Sequence, residues 1–218
     1  MNVFFKYLRN PHYIKSERIQ WEIFFKLIVF FYLVLIPVGL LSGLIIEVMN
    51  FRETDFDYNI LKKIIAGIIL GPFIEEILFR FMLRPKYNNL ICFFCFSFVM
   101  MIISIVRSNN NYLLFFATLS LLSFFLILNK RYVRNAQRVL IKYFVYIFYL
   151  SCLIFGLYHI TNYYPITFKL LLIVPVIFLP QIITGTVLGF IRLKFGIIYS
   201  MLFHAIINIF PIFLIVIS

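Results

Sequence analysis

The sequence predicts an all-α protein, a polytopic transmembrane helical bundle of about eight spans preceded by a basic N-terminal interfacial segment. Three observations carry this reading. Of the 218 residues, 64% are hydrophobic and only 13% are charged, where a soluble domain carries roughly a quarter charged. Mean hydropathy is +1.03. The apolar residues fall into runs of the length a bilayer core demands, about 20 residues. The aromatic share of 20% suits lipid-facing helices with tyrosines at their interfaces.

Residues 1–22 (MNVFFKYLRNPHYIKSERIQWE) form a basic, partly amphipathic lead-in, expected on the membrane surface. A single transmembrane domain follows over 23–218. Its expected helices are 23–46, 60–84, 90–106, 112–128, 139–161, 166–180, 181–193 and 195–217. Pro175 and Pro180 interrupt the pattern between 166 and 193, because proline lacks the N–H a helix interior uses. Seven spans is the alternative count. Small residues recur at four-residue spacing as Gly39/Gly43, Gly67/Gly71 and Gly185/Gly189, a pattern that close helix–helix approach explains.

Orientation follows lysine and arginine. Lys6, Arg9, Lys15, Arg18 and Lys26 precede or open the first span. Arg84 and Lys86 follow the second, and Lys130, Arg131, Arg134, Arg138 and Lys142 cluster near 129–142. Placing all of these in the cytoplasm agrees with alternating spans, so the N-terminus is expected inside. The acidic stretch EVMNFRETDFD (47–57) then faces out. Arg192 and Lys194 fit poorly, since eight spans put them outside. The net charge of +12 is spread over short loops with no single basic face, so nucleic acid is excluded as a partner. Nothing reads as an organelle address, and a bacterial inner (plasma) membrane is the expected location.

Cys92 and Cys95 have C-x-x-C spacing but lie in an apolar run, where two small residues in a helix are the better reading than a redox or zinc pair.

The chemistry concentrates at GPFIEEILFRFMLR (71–84). The chain has 8 acidic residues, and apart from Glu75 and Glu76 all of them lie in the lead-in or the first loop. Any carboxylate chemistry at membrane depth must use this pair. A charged side chain at a span centre costs roughly 2.5–3.5 kcal/mol on insertion scales. Glu76 and Arg80 are four apart on one helix face and can pair. Glu75 points about 100° away and has no local partner, so burial is expected to make it a usable general base. The plainer reading is a polar seam that holds helices together.

Two of the three histidines, His159 and His204, lie in expected spans. His204 and Asn208 share one helix face and form a pair of donors suited to an oxyanion. A glutamate beside a histidine suits activation of a water. Together the set reads as hydrolysis of an amide or ester. No G-x-S-x-G elbow appears. Glu75, His159 and His204 have the atoms to ligate zinc, but no H-E-x-x-H is present. The residues leave open a divalent metal or none.

EEILFR (75–80), FGLYH (155–159) and HAIIN (204–208) resemble, in order, the E-E-x-x-x-R, F-x-x-x-H and H-x-x-x-N motifs of the CPBP family of intramembrane proteases. These are the CAAX proteases and bacteriocin-processing enzymes, also called the Abi family. The resemblance covers about 60–210. It implies that Glu75, helped by His159, activates the attacking water. His204 and Asn208 would hold the oxyanion, with Glu76, Arg80 and Phe155 in support. It implies a protein or peptide substrate entering from the bilayer or its surface. Family members are described as metalloproteases and also as metal-free glutamate enzymes. One departure stands out: the interval from Glu75 to His159 is longer than the family's, filled by the runs at 90–106 and 112–128. Depth is the strain in this picture. Glu75 is about 14 Å of helix from the following loop, while His159 is about 30 Å from residue 139.

The expected function is an intramembrane endopeptidase. The alternatives are a non-catalytic membrane immunity or interaction protein on the same scaffold, and a proton-coupled transporter with the glutamates as a relay.

Overall fold

The computed structural model describes residues 2–53, 59–159, 163–164 and 168–217. Asp55 and Asp57 of the acidic stretch lie outside the described residues. Among the described residues the regular structure is helical apart from one two-residue antiparallel pairing, Arg52–Glu53 (β1) with Tyr163–Tyr164 (β2). All eight expected segments have helical counterparts. They are α2 (Trp21–Val48); α3 (Ile60–Ile64), continued by a π-helical turn (Ile65–Leu70) and α4 (Gly71–Arg80); α5 (Tyr87–Val106); α6 (Asn110–Ile127); α8 (Phe144–Tyr158); α9 (Phe168–Ile177); α10 (Leu179–Lys194); and α11 (Ile197–Ile217). Two further helices, α1 (Asn2–Arg9) and α7 (Lys130–Lys142), fall in basic segments.

Four of these helices, α2, α5, α6 and the first 18 residues of α11, are long and apolar enough to cross a membrane; a fifth counts if α7 and α8 are one bent span. The expected count of about eight is not reached by that measure, because the remaining segments are short or broken. Between α7 and α8 the axis turns by 89°. On α7 all five basic side chains are exposed while Val133 and Leu140 are buried. The run expected as one helix over 139–161 therefore begins only at Phe144. With 15 residues, α8 carries His159 about 22 Å from its start, not 30, which relieves much of the depth conflict.

Contacts define the two ends of the bundle. At one end, Glu17 N–H donates to Lys194 O at 2.8 Å, and Lys194 Nζ reaches Glu17 Oε2 at 2.9 Å. Arg84 donates to Ser16 Oγ (3.1 Å), to Ile14 O (2.7 Å) and to Leu193 O. At the other end β1 meets β2, and Ser42 Oγ donates to Val176 O at 3.2 Å. A small apolar cluster of Phe51, Ile177 and Phe178 closes that end. Thus α9, expected as a span, sits beside the far end of α2, and α10 returns the chain to the lead-in. Arg192 and Lys194 no longer conflict with the other basic residues, since they share an end with Arg84 and Glu17. The α10–α11 turn closes on Gly196, whose φ of +113° is one that glycine adopts without strain.

The lead-in is part of the packing. Phe4 and Tyr7 are buried against Phe190 and Phe148, and Tyr149 donates to Leu8 O. The core joins Phe24, Leu27 and Phe31 of α2, Phe148 and Phe155 of α8, Leu188, Phe190 and Ile191 of α10, and Phe203 of α11. The two runs that lengthen the interval before His159 form a hairpin, α5–α6, tied by Ser120 Oγ to Ser97 Oγ at 3.1 Å. Cys92 and Cys95 are free thiols on α5.

Close approach explains some of the glycines. A Cβ at Gly189 would stand 2.8 Å from the Phe148 ring, and one at Gly67 would stand 2.8 Å from Ile212 Cγ1 of α11. At Gly39 and Gly43 nothing lies within 4 Å, so no such contact accounts for them.

Candidate active site

Three helices supply the polar groups. Glu75, Glu76 and Arg80 come from α4, Phe155 and His159 from the end of α8, and Ser200, His204 and Asn208 from one stripe of α11 at four-residue spacing. That stripe is the helical period expressed in side-chain chemistry.

The Glu75 carboxylate stands between two imidazoles. Its Oε2 is 3.9 Å from His159 Nε2 and 3.7 Å from His204 Nε2. Its side chain keeps 19% of its surface accessible, while Oε2 itself is buried. His159 Nδ1 lies 2.8 Å from the Phe155 carbonyl. That carbonyl can only accept, so Nδ1 carries the proton and in the neutral ring Nε2 turns a lone pair toward Glu75.

Glu76 and Arg80 are fully buried. They pair as expected, but at 3.9 Å from Arg80 Nε to Glu76 Oε1. Nearer partners come from α11: Ser200 Oγ donates to Glu76 Oε2, and His204 Nδ1 is 3.3 Å from Glu76 Oε1. His204 thus bridges both carboxylates, one ring nitrogen to each. Arg80 is held mainly by packing, its guanidinium 4.5 Å above the Phe155 ring. Phe155 therefore does three things: its carbonyl orients His159, its ring carries Arg80, and its edge meets His204 at 5.9 Å.

Asn208 makes its hydrogen bond outside this cluster. Its Nδ2 donates to Gly67 O in the π-helical turn at 2.9 Å, so one of its two N–H bonds is committed to backbone. The structure brings together Glu75, His159 and His204 with Glu76, Arg80 and Phe155. Of the expected set, Asn208 alone has its recorded contact elsewhere. Ser200 was missed by sequence reasoning; its signal was its position one turn before His204 on the same face.

The candidate metal ligands do not fit a zinc ion as arranged. The 3.7 and 3.9 Å separations exceed the roughly 3.3 Å edge of a tetrahedral shell with bonds of about 2.0 Å. Among the described residues, no group of three His, Cys, Asp or Glu has metal-holding geometry.

Comparison with known proteins bears on the same three helices. The pattern of the family described as type II CAAX prenyl endopeptidase Rce1-like matches residues 58–210, from α3 through α11 to just beyond Asn208. The chain belongs to that family. No curated protein and no solved structure matches it. Membership of the Rce1-like family agrees with the resemblance carried by the three motifs and supports a protease in general. With its apolar helices, it makes this an integral membrane protein.

Proposed function

We propose that the protein is an intramembrane endopeptidase that hydrolyses a peptide bond near the C-terminus of a CAAX-type substrate, with Glu75 as general base. The observation that carries this is the Glu75 carboxylate flanked by His159 and His204 at 3.9 and 3.7 Å, on a side chain that is partly accessible while the Oε2 facing both imidazoles is buried. Separations of that length are too long for direct hydrogen bonds and suit two groups sharing one water.

The reaction proceeds by addition and elimination. A water hydrogen-bonded to Glu75 Oε2 and His159 Nε2 attacks the scissile carbonyl carbon, and its proton passes to Glu75. The carbonyl oxygen becomes an oxyanion that takes an N–H from His204 Nε2. The C–N bond then breaks, Glu75 returns the proton to the leaving nitrogen, and the products are a carboxylic acid and an amine, the acid then passing its proton to the amine to give a carboxylate and an ammonium. His204 can donate from Nε2 while Nδ1 faces Glu76, because imidazolium has two N–H bonds. Glu76 Oε1 faces Nδ1 at 3.3 Å, and Ser200 and Arg80 hold Glu76. General-base catalysis of this kind contributes about 10²–10⁴-fold.

The basic residues of the lead-in and α7, together with Lys86, then face the cytoplasm, where lysine and arginine accumulate. They also meet anionic headgroups there.

The test uses full-length protein in proteoliposomes and a peptide ending in a prenylated cysteine and three further residues. Wild type releases the C-terminal tripeptide, and Glu75→Gln inserts normally but does not. Cleavage retained by Glu75→Gln, or none by wild type in conditions where the protein is folded, removes the assignment.

A further inference from the structure

The helix that carries both glutamates has a break with an identifiable cause. At Ile65–Leu70 the backbone widens into a π-helical turn, and Gly71 N–H donates to Ala66 O, five residues back. A carbonyl in a helix takes its bond from the residue four ahead in α register or five ahead in π register. For Gly67 these are Gly71, whose N–H is already used, and Pro72, which has none. The sequence thus denies Gly67 O both partners, and no water in a bilayer core replaces them. Asn208 Nδ2 fills the place at 2.9 Å. Gly67 lets α11 come close enough, since even a methyl there would stand 2.8 Å from Ile212 Cγ1.

The wide turn matters because of phase. Successive residues of a helix point about 100° apart, so one residue more or less in this turn re-aims everything on one side of it relative to the other. Glu75 and Glu76 are neighbours, so a slip of one residue would bring one to the direction of the other. The His204 bridge needs both in their own directions.

We propose that Asn208 is a positioning residue: its amide replaces the N–H that Pro72 lacks and holds the π-helical turn in the register that aims Glu75 and Glu76 at α11. The proposal rests on the endopeptidase reading for its catalytic consequence but not for its structural one. It differs from the oxyanion role that the sequence resemblance implies for Asn208, in which the amide would touch the substrate.

The experiment compares wild type, Asn208→Ala, Pro72→Ala and the double variant Pro72→Ala/Asn208→Ala, all full-length in proteoliposomes. Amide hydrogen exchange across residues 64–76 and the kinetics of prenyl-peptide cleavage are both read. Asn208→Ala is expected to raise exchange about tenfold and to lower kcat by about tenfold or more with KM little changed. In the double variant the new N–H at 72 can serve Gly67 O, so both readouts return toward wild type. Should Asn208→Ala fail to insert or fold, recovery of the folded state in the double variant is the supporting result. Exchange unchanged by Asn208→Ala, or a defect that Pro72→Ala does not relieve, overturns the proposal and leaves direct contact with substrate as the role of Asn208. The exchange result needs no substrate, so absence of cleavage by wild type would sink the endopeptidase reading alone.

Discussion

Removing one hydroxyl tests how the buried carboxylate is held. Ser200 is fully buried, and its Oγ donates to Glu76 Oε2 with Leu188 O at 3.0 Å as a second neighbour. Ser200→Ala deletes that donor and leaves a gap of only one oxygen atom, so the cavity contribution is small. What is lost is a hydrogen bond to an ionised group, worth about 1.5–3 kcal/mol. No solvent reaches the pair, so no screening discount applies. The expected destabilisation is about 2 kcal/mol, or roughly 30-fold in the folded-to-unfolded ratio. The assay is reversible unfolding in mixed micelles, run in the wild-type and Glu76→Gln backgrounds. Against the neutral amide, the same Ser200→Ala change should cost only about 1 kcal/mol, so the double-mutant cycle should return a coupling of about 1 kcal/mol. The cleavage rate should fall with stability in the single variant, because His204 leans on the same carboxylate at 3.3 Å. Equal costs in the two backgrounds would refute the reasoning.

Two other predictions follow from the same packing. A methyl at Gly185 would meet Phe155 Cδ1 at 3.2 Å, Arg80 Nη2 at 3.3 Å and Cys152 Cα at 3.3 Å; these cannot all yield, so Gly185→Ala should cost about 1–3 kcal/mol and lower activity through Phe155, while Gly39→Ala, with open space, should do neither. Burial pushes the Tyr7 phenol above its ordinary value near 10; its neutral form is favoured in the fold, so that contribution is complete below pH 10 and is lost as pH rises beyond. Tyr7→Phe should therefore flatten the alkaline fall in stability, and a parallel pH profile would contradict this.

Much of this molecule was legible in its residues. Hydropathy located all eight helical segments, because burial in lipid imposes long apolar runs. The motif residues Glu75, His159 and His204 could be matched across intervals of 84 and 45 positions, because charges at depth are costly and stand out against an apolar background. What could not be read depended on partners distant in the chain. Lys194 appeared stranded on the wrong side until its contact with Glu17 and the position of α9 were known. The lead-in read as a surface segment because Phe4 and Tyr7 give no sign, alone, that Phe148 and Phe190 cover them. Glu76 looked paired with Arg80 by spacing, yet its closer partners come from α11. The orphaned Gly67 carbonyl follows from Pro72 only once the turn is known to be π-helical, and helical periodicity cannot announce that in a segment apolar on every side.

The central claim is that Glu75 and His159 act on one water as a unit, with His204 on the substrate's carbonyl oxygen. The most direct measurement is the cleavage rate of Glu75→Gln, His159→Ala and the double variant in proteoliposomes. Groups that serve the same step are strongly non-additive, so the double variant should be no slower than Glu75→Gln alone. Losses that multiply would mean that the two side chains work independently and would contradict the account.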